Sequence, residues 1–258
     1  MKRRRSESSS VSVLISLAIL MVIWEGAVRV FSIPAFLLPP PTLIFAEIVK
    51  NHRILLIHAQ ATLSVILTGF LCSAVIGIPL AFAISFSGFF RRTVYPMIVF
   101  SQLIPKIALA PIFVIWFGFG FLPKVLIAFL VSFFGVVIQS IVGFTSLRPE
   151  AVRVAQSMGA NTFDLFRKVR LPHALPNIFA GLKLAIASAS IGAIVGEFIA
   201  SQQGLGYLVL IANAELNTPL SFAGMLLLSL MGVGLYFIVE TAERFFTGWH
   251  VSQRLGNA

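Results

Sequence analysis

A chain of 258 residues that is 58% hydrophobic and only 11% charged, with a mean hydropathy of +0.98, carries too few charges to clothe a water-soluble surface; soluble domains run near 25% charged. The formal net charge of +10 does not argue for nucleic acid, because the 19 Lys and Arg fall between apolar runs and do not cluster on one face. The composition is that of one membrane domain, in which the single cysteine, Cys72, has no partner for an internal disulfide.

Apolar windows of about 20 residues mark membrane spans. Six are predicted, at Val11–Phe31, Ala61–Phe86, Val94–Phe117, Val125–Phe144, Ile178–Ala200 and Ser221–Val239. With the amino terminus inside, 13 basic residues, from Lys2 and Arg3 through Arg91, Arg153 and Arg170 to Arg254, fall on the inner side, against four outside: Arg29, Lys50, Arg53 and Lys124. That bias predicts two cytoplasmic termini. The domain plan is therefore a basic tail (1–10), a transmembrane domain (11–241) with an external segment (32–57) and an inner loop (145–176), and a second tail (242–258).

KRRR ahead of the first span resembles a secretory signal, but the apolar run is long for one and no small-residue cleavage site follows. Glu25 and Arg29 stand one helical turn apart, acid before base, and predict an ion pair. In FLLPPPTLIFAEIVKNH three prolines bar helix, after which Thr42 is placed to cap a short amphipathic helix at the outer surface. Gly69, Gly77, Pro79, Pro105, Pro111, Gly181, Gly192 and Gly196 within the spans permit close helix approach and kinks.

Lys106 follows Pro105 near the middle of the third span, where a cation costs about 2.5–3.5 kcal/mol unless it meets a polar lumen or a partner. Two readings stand: with Gln102 it offsets the charge of an anionic solute, or it pairs with Glu197 of the fifth span. Lys183 is expected to snorkel to the cytoplasmic face, and Glu240 with Arg244 to form an i, i+4 pair.

The inner loop is the longest polar interruption. Pro149 suits a first helical position, and Ala151, Val154, Ala155 and Met158 make an apolar stripe. Gly159 is predicted to stop that helix. Asn161 is placed to cap a second one, with Phe163, Phe166 and Val169 as its apolar face and Pro172 as its end. Five basic and two acidic residues give this loop a net +3, which could hold it at anionic headgroups, but the glycine turn and double apolar face describe a rigid knob that needs a socket.

The chain has no Walker loop, no H-E-x-x-H and no cysteine pair at metal spacing, and GLGYLV at 204–209 lacks the third glycine of a dinucleotide loop. His52, His58, His173 and His250 are scattered, so neither a metal nor a catalytic histidine is expected.

Gly159 followed after nine residues by Val169-Arg170-Leu171-Pro172 resembles the EAA loop, G-x9-I-x-L-P, of permease subunits of binding-protein-dependent ABC importers. FLLPPP, GIPLAFAI (77–84), APIFVIWFGFG (110–120), LPHALPNIFAGLKLA (171–185) and GLGYL (204–208) are similar to the nitrate, sulfonate and taurine branch. The resemblance implies an all-α permease fold of type I with six spans, in the bacterial inner membrane. It also implies a second copy of the chain, an external substrate-binding protein, and a cytoplasmic ATPase dimer that carries the ATP and Mg, leaving this chain with no cofactor. It implies docking through Ala155, Ser157, Met158, Gly159 and Ala160, with Leu171 and Pro172 fixing the return to the fifth span. The motif's leading glutamate is Arg153 here and its first alanine is Val154; Glu150, one turn earlier, could substitute for the acid. The solute implied is small and anionic (a sulfonate, nitrate or carboxylate), although vitamin precursors also belong to this branch. An ion-gradient-driven transporter or channel is the rival reading, and would want more intramembrane acids; a membrane enzyme acting on lipid phosphate would want polar residues clustered at one face.

Overall fold

The computed structural model describes residues 3–248, with side chains from Ile15 onward; Lys2, His250 and Arg254 lie outside the described residues. Every regular element among them is helical: α1 (Arg3–Val30), α2 (Pro41–Lys50), α3 (His52–Phe86), α4 (Gly88–Ser101), a 3-10 turn (Lys106–Leu109), α5 (Ala110–Phe117), α6 (Phe121–Thr145), α7 (Pro149–Ser157), α8 (Thr162–Leu165), a π segment (Phe166–Arg170), α9 (Leu171–Ala200), α10 (Leu205–Ala214) and α11 (Thr218–Phe246). The all-α expectation holds. α3, α6, α11 and the continuous stretch Thr162–Ala200 are each long and apolar enough to cross a membrane, and α4 with the segment to Phe117 makes a fifth such unit if its two halves count as one. α1 is helical along the first expected span.

The third expected span, Val94–Phe117, is not a straight helix. It bends by 86° between Ser101 and Lys106. Pro105 has no N–H to offer the Ser101 carbonyl, and it disfavours helix at the residue before it. The chain tightens accordingly into i→i+3 bonds, Leu103 N–H to Phe100 O at 3.1 Å and Ile104 N–H to Ser101 O at 3.4 Å.

α6 is the central post, packed between α3 and α9. A side chain on Gly69 of α3 would stand 2.7 Å from Ala128 Cβ, and one on Gly192 of α9 would stand 2.7 Å from Ala128 Cα, so both helices approach α6 at the same small residue. The Ser73 and Ser132 hydroxyls meet at 2.6 Å across the α3–α6 seam, satisfying each other where no water reaches. Val65, Ile66, Ile186, Ala189 and Ala193 fill the surrounding core. Gly192→Leu is therefore expected to prevent close packing, with an overpacking cost of about 3 kcal/mol, the upper end of the usual range, because the clash is with backbone. Size-exclusion chromatography and thermal stability of the purified variant check this, and an unchanged melting profile would contradict the α6–α9 contact.

Three expectations about local chemistry change. Thr42 does not cap α2 with its own side chain; Glu25 of α1 reaches across, accepting from Thr42 N–H at 3.1 Å and from its hydroxyl at 2.9 Å, while also pairing with Arg29 at 2.6 Å. A carboxylate is the stronger acceptor for an exposed helix start, and it ties α2 to α1. Lys183 does not snorkel, because Glu243 of α11 meets its ammonium at 2.6 Å with little of either side chain exposed. Pro172 does not end a helix. The π segment widens the ladder by one residue, Leu171 N–H reaching Phe166 O, so the carbonyls facing the donorless proline fall inside the widened turn and the helix runs on into α9. Glu240 and Arg244 pair at 2.7 Å as expected.

Candidate functional site

The inner loop folds as a knob of α7, α8 and the π segment. Pro149 occupies the first turn of α7. At its other end Gly159 takes φ +85°, donating its N–H to Gln156 O at 2.9 Å, while Ala160 N–H reaches back to Ala155 O at 3.0 Å. This paired back-bonding is the Schellman stop, and its left-handed residue is cheap only for glycine. Asn161 Oδ1 then accepts from Asp164 N–H at 2.8 Å and starts α8, and Asp164 also pairs with Lys168 at 2.7 Å.

Apolar side chains on this knob face two ways. Phe166 turns inward against Phe82 and Phe86 of α3, at ring separations of 5.1 and 6.4 Å, and Leu165 is buried beside it, so the knob stands on a hydrophobic footing. Outward, Met158 is 82% exposed, Phe163 67% and Val154 58%. Ala155 and Ala160 are half-buried, Glu150 and Ser157 exposed, and the Ser157 hydroxyl is used by Val154 O at 2.8 Å. Leu171 and Pro172 are half-buried at the start of α9, so the knob runs on into α9 as continuous helix. The expected second apolar face is thus divided, with Phe163 outside and Phe166 inside.

A second polar constellation joins α3, α6, α9 and α10, and sequence reasoning assembled none of it. Glu197 is wholly buried and accepts from Gly206 N–H at 2.7 Å. His58 Nδ1 accepts from Gly204 N–H at 2.9 Å, and the Thr62 hydroxyl from Leu205 N–H at 2.8 Å. Three successive N–H groups at the start of α10 therefore each have a side-chain acceptor from another helix, satisfying donors that a helix start leaves open. Lys124, itself buried, donates from its ammonium to the Ser201 hydroxyl at 2.8 Å. The glycines of GLGYL were the available signal: a Cβ on Gly204 would overlap the Glu197 carboxyl, and one on Gly206 would lie 2.9 Å from Oε2.

Lys106 and Glu197 are not brought together. Lys106, half-buried, rests with Nζ 3.2 Å from Gln102 O and 4.6 Å from the Phe134 ring centroid, and no carboxylate lies within ion-pair distance of it among the described residues. The Gln102 side chain is exposed.

The described residues form a bundle of apolar helices, several of them long enough to cross a membrane, bearing an exposed apolar knob. Residues 73–247 match the family described as "Binding-protein-dependent transport system inner membrane component", and the chain belongs to that family. It is similar to the riboflavin transport system permease protein RibX of Chloroflexus aurantiacus, with 35% identity over 96% of this chain and 94% of the relative. The formylaminopyrimidine transport permease protein ThiX of Halalkalibacterium halodurans is 35% identical over 91% and 94%. The taurine transport system permease protein TauC of Escherichia coli is 29% identical over 91% and 88%. The chain is thus an ABC importer permease, a non-catalytic multi-pass protein of the bacterial inner membrane that serves with a substrate-binding protein and a separate ATPase.

Proposed function

We propose that this chain is a six-span subunit with both termini in the cytoplasm, that its single transmembrane domain (11–241) pairs with a second copy to form the path of a small solute, and that the 150–172 knob couples this path to the ATPase dimer. Met158 carries the proposal: a methionine 82% exposed on a rigidly capped loop is a poor choice for water and a good one for a socket. Ala155, Ser157, Gly159 and Ala160 would line the same contact, Glu150 would supply the acid that Arg153 displaces, and Leu171 and Pro172 would pass the motion into α9. ATP and Mg belong to the ATPase. Moving the bundle between inward- and outward-open states from 1:99 to 99:1 takes about 5.5 kcal/mol of differential contact with the knob.

Met158→Asp tests the docking directly. Losing the methionine that docking would bury, and desolvating a carboxylate in its place, costs upwards of about 1.5–3 kcal/mol per knob, which weakens ATPase association at least about tenfold. Co-purification of the ATPase with the tagged permease measures it; wild-type recovery of the ATPase would remove the knob from the interface.

For the solute, Lys106, which has no acidic partner among the described residues, supports an anionic group, with Gln102 beside it. The names of the two relatives at 35% identity support a second reading, a planar nitrogen heterocycle of the vitamin type. Lys106→Met separates these: uptake of an anion falls at least about tenfold when its counter-charge is removed, whereas uptake of a neutral heterocycle is retained.

A further inference from the structure

Between the knob and the bundle, the ends of α3 and α6, the start of α4, the outset of α7 and the π segment border an open cleft of about 590 Å³. Three guanidinium groups line it: Arg91 from α4, Arg153 from α7 and Arg170 from the π segment. Among the described residues none of the three forms an ion pair, although Arg29, Lys168, Lys183 and Arg244 all do. Arg170 is fixed over the Phe86 ring at 4.7 Å. The lining hydroxyls are already committed, Ser85 to Ala81 O at 2.7 Å and Thr145 to Ile141 O at 2.8 Å, so the donors left for a ligand are guanidinium N–H groups. Like charges gathered around one cavity repel, and a multi-oxygen anion between them relieves that repulsion while accepting forked hydrogen bonds.

The cleft is distinct from the docking stripe. At about 100° per residue, Pro149, Val152 and Arg153 share one side of α7, and Ala151, Val154 and Met158 share the opposite one. A protein gripping Met158 therefore leaves the cleft to whatever reaches it from the bundle side. Ser85 and Phe86 close α3, and Thr145 closes α6, both apolar spans, so the cleft opens at the level where a bilayer's hydrocarbon gives way to its headgroups.

We propose that this cleft binds the phosphate group of an anionic phospholipid, clasped by Arg91, Arg153 and Arg170, and that the bound headgroup braces the back of the knob against the bundle. Placing that lipid in the cytoplasmic leaflet rests on the inward orientation proposed above; the binding itself does not. Phosphate is the shared chemistry of a lipid headgroup and of free inorganic phosphate, and a guanidinium triad recognises either.

The permease, purified with its ATPase in detergent and stripped of lipid, is titrated with phosphatidylglycerol, with phosphatidylcholine and, separately, with inorganic phosphate, and bound lipid is counted by native mass spectrometry. Phosphatidylglycerol is expected to be retained in preference to phosphatidylcholine. R91Q/R153Q is expected to lower its affinity at least about tenfold, and R92Q/R148Q, which removes equal charge outside the cleft, less than about threefold. R153Q alone, on a short surface helix, is expected to lose about threefold and serves if the double variant does not fold. Equal losses in both double variants, or no preference for phosphatidylglycerol, overturns the proposal. Displacement of the lipid by millimolar phosphate assigns the cleft to the free anion and overturns the lipid assignment. Loss of the ATPase from R91Q/R153Q with lipid retention unchanged assigns the cleft to an acidic protein segment and overturns it as well. Gly159→Val is expected to retain phosphatidylglycerol, so a failure of the coupling reading appears in uptake and not in this measurement.

Discussion

Gly159→Val is expected to leave the bundle folded and membrane-inserted while cutting ATP-driven uptake at least about tenfold, because a β-branched residue at φ +85° costs about 1–3 kcal/mol and must unwind the stop of α7 to relax. The cost is one of backbone conformation. A Cβ at this position meets nothing within 4 Å, so the core has no reason to respond. That separation supplies the control: Gly159→Asn, which tolerates the left-handed region, is expected to keep most of the uptake. Both variants are measured for expression, ATPase co-purification and solute uptake in the same vesicles. Full uptake by the valine variant would falsify the coupling role of the knob, and equal failure of valine and asparagine would show that side-chain volume, not φ, decides.

Gly204→Ala is expected to be the more damaging change to the fold. Its methyl group would overlap the Glu197 carboxyl, at a φ of +121° that alanine avoids, so either the buried carboxylate or the start of α10 must leave its seat. Loss of the Gly206 hydrogen bond to the buried Glu197 carboxyl, added to the backbone strain, costs about 2–4 kcal/mol. The partner variant is Glu197→Ala, which removes the obstacle. The two changes share one space, so their combination is expected to cost clearly less than the sum of the single variants, a coupling of about 1 kcal/mol or more. Thermal unfolding of the four proteins closes the cycle; strict additivity would mean that Glu197 does not seat α10.

What was legible in the sequence is what neighbouring residues decide among themselves. Pro149, Gly159 and Asn161 fix both ends of α7 and the start of α8 through contacts within five residues, and Glu25–Arg29 and Glu240–Arg244 follow from helical spacing. The errors lie where a distant partner wins. Thr42 is served by Glu25 from another helix, Lys183 by Glu243, and the α10 donors by His58, Thr62 and Glu197. Pro172 misleads for a different reason: proline as a breaker assumes an α-ladder, and the π turn beneath it does not present one. Pro105 carried the opposite signal, read as a permitted kink when it helps divide the span. Arg91, Arg153 and Arg170, which the charge bias only counted as inner residues, converge because α4, α7 and the π segment do.

The unbroken helix from Thr162 to Ala200 spans 39 residues, a rod of about 58 Å at 1.5 Å per residue. Asn161 and Asp164 sit at one tip, and Glu197 holds α10 near the other. Moving as one body, a helix of that length turned by about 10° around the knob sweeps its far end through about 10 Å, on the scale of a side chain's reach. On the coupling reading proposed above, the two polar clusters are opposite ends of a single lever, and a small tilt at the knob would become a displacement wide enough to move a solute's doorway at the far end of the bundle.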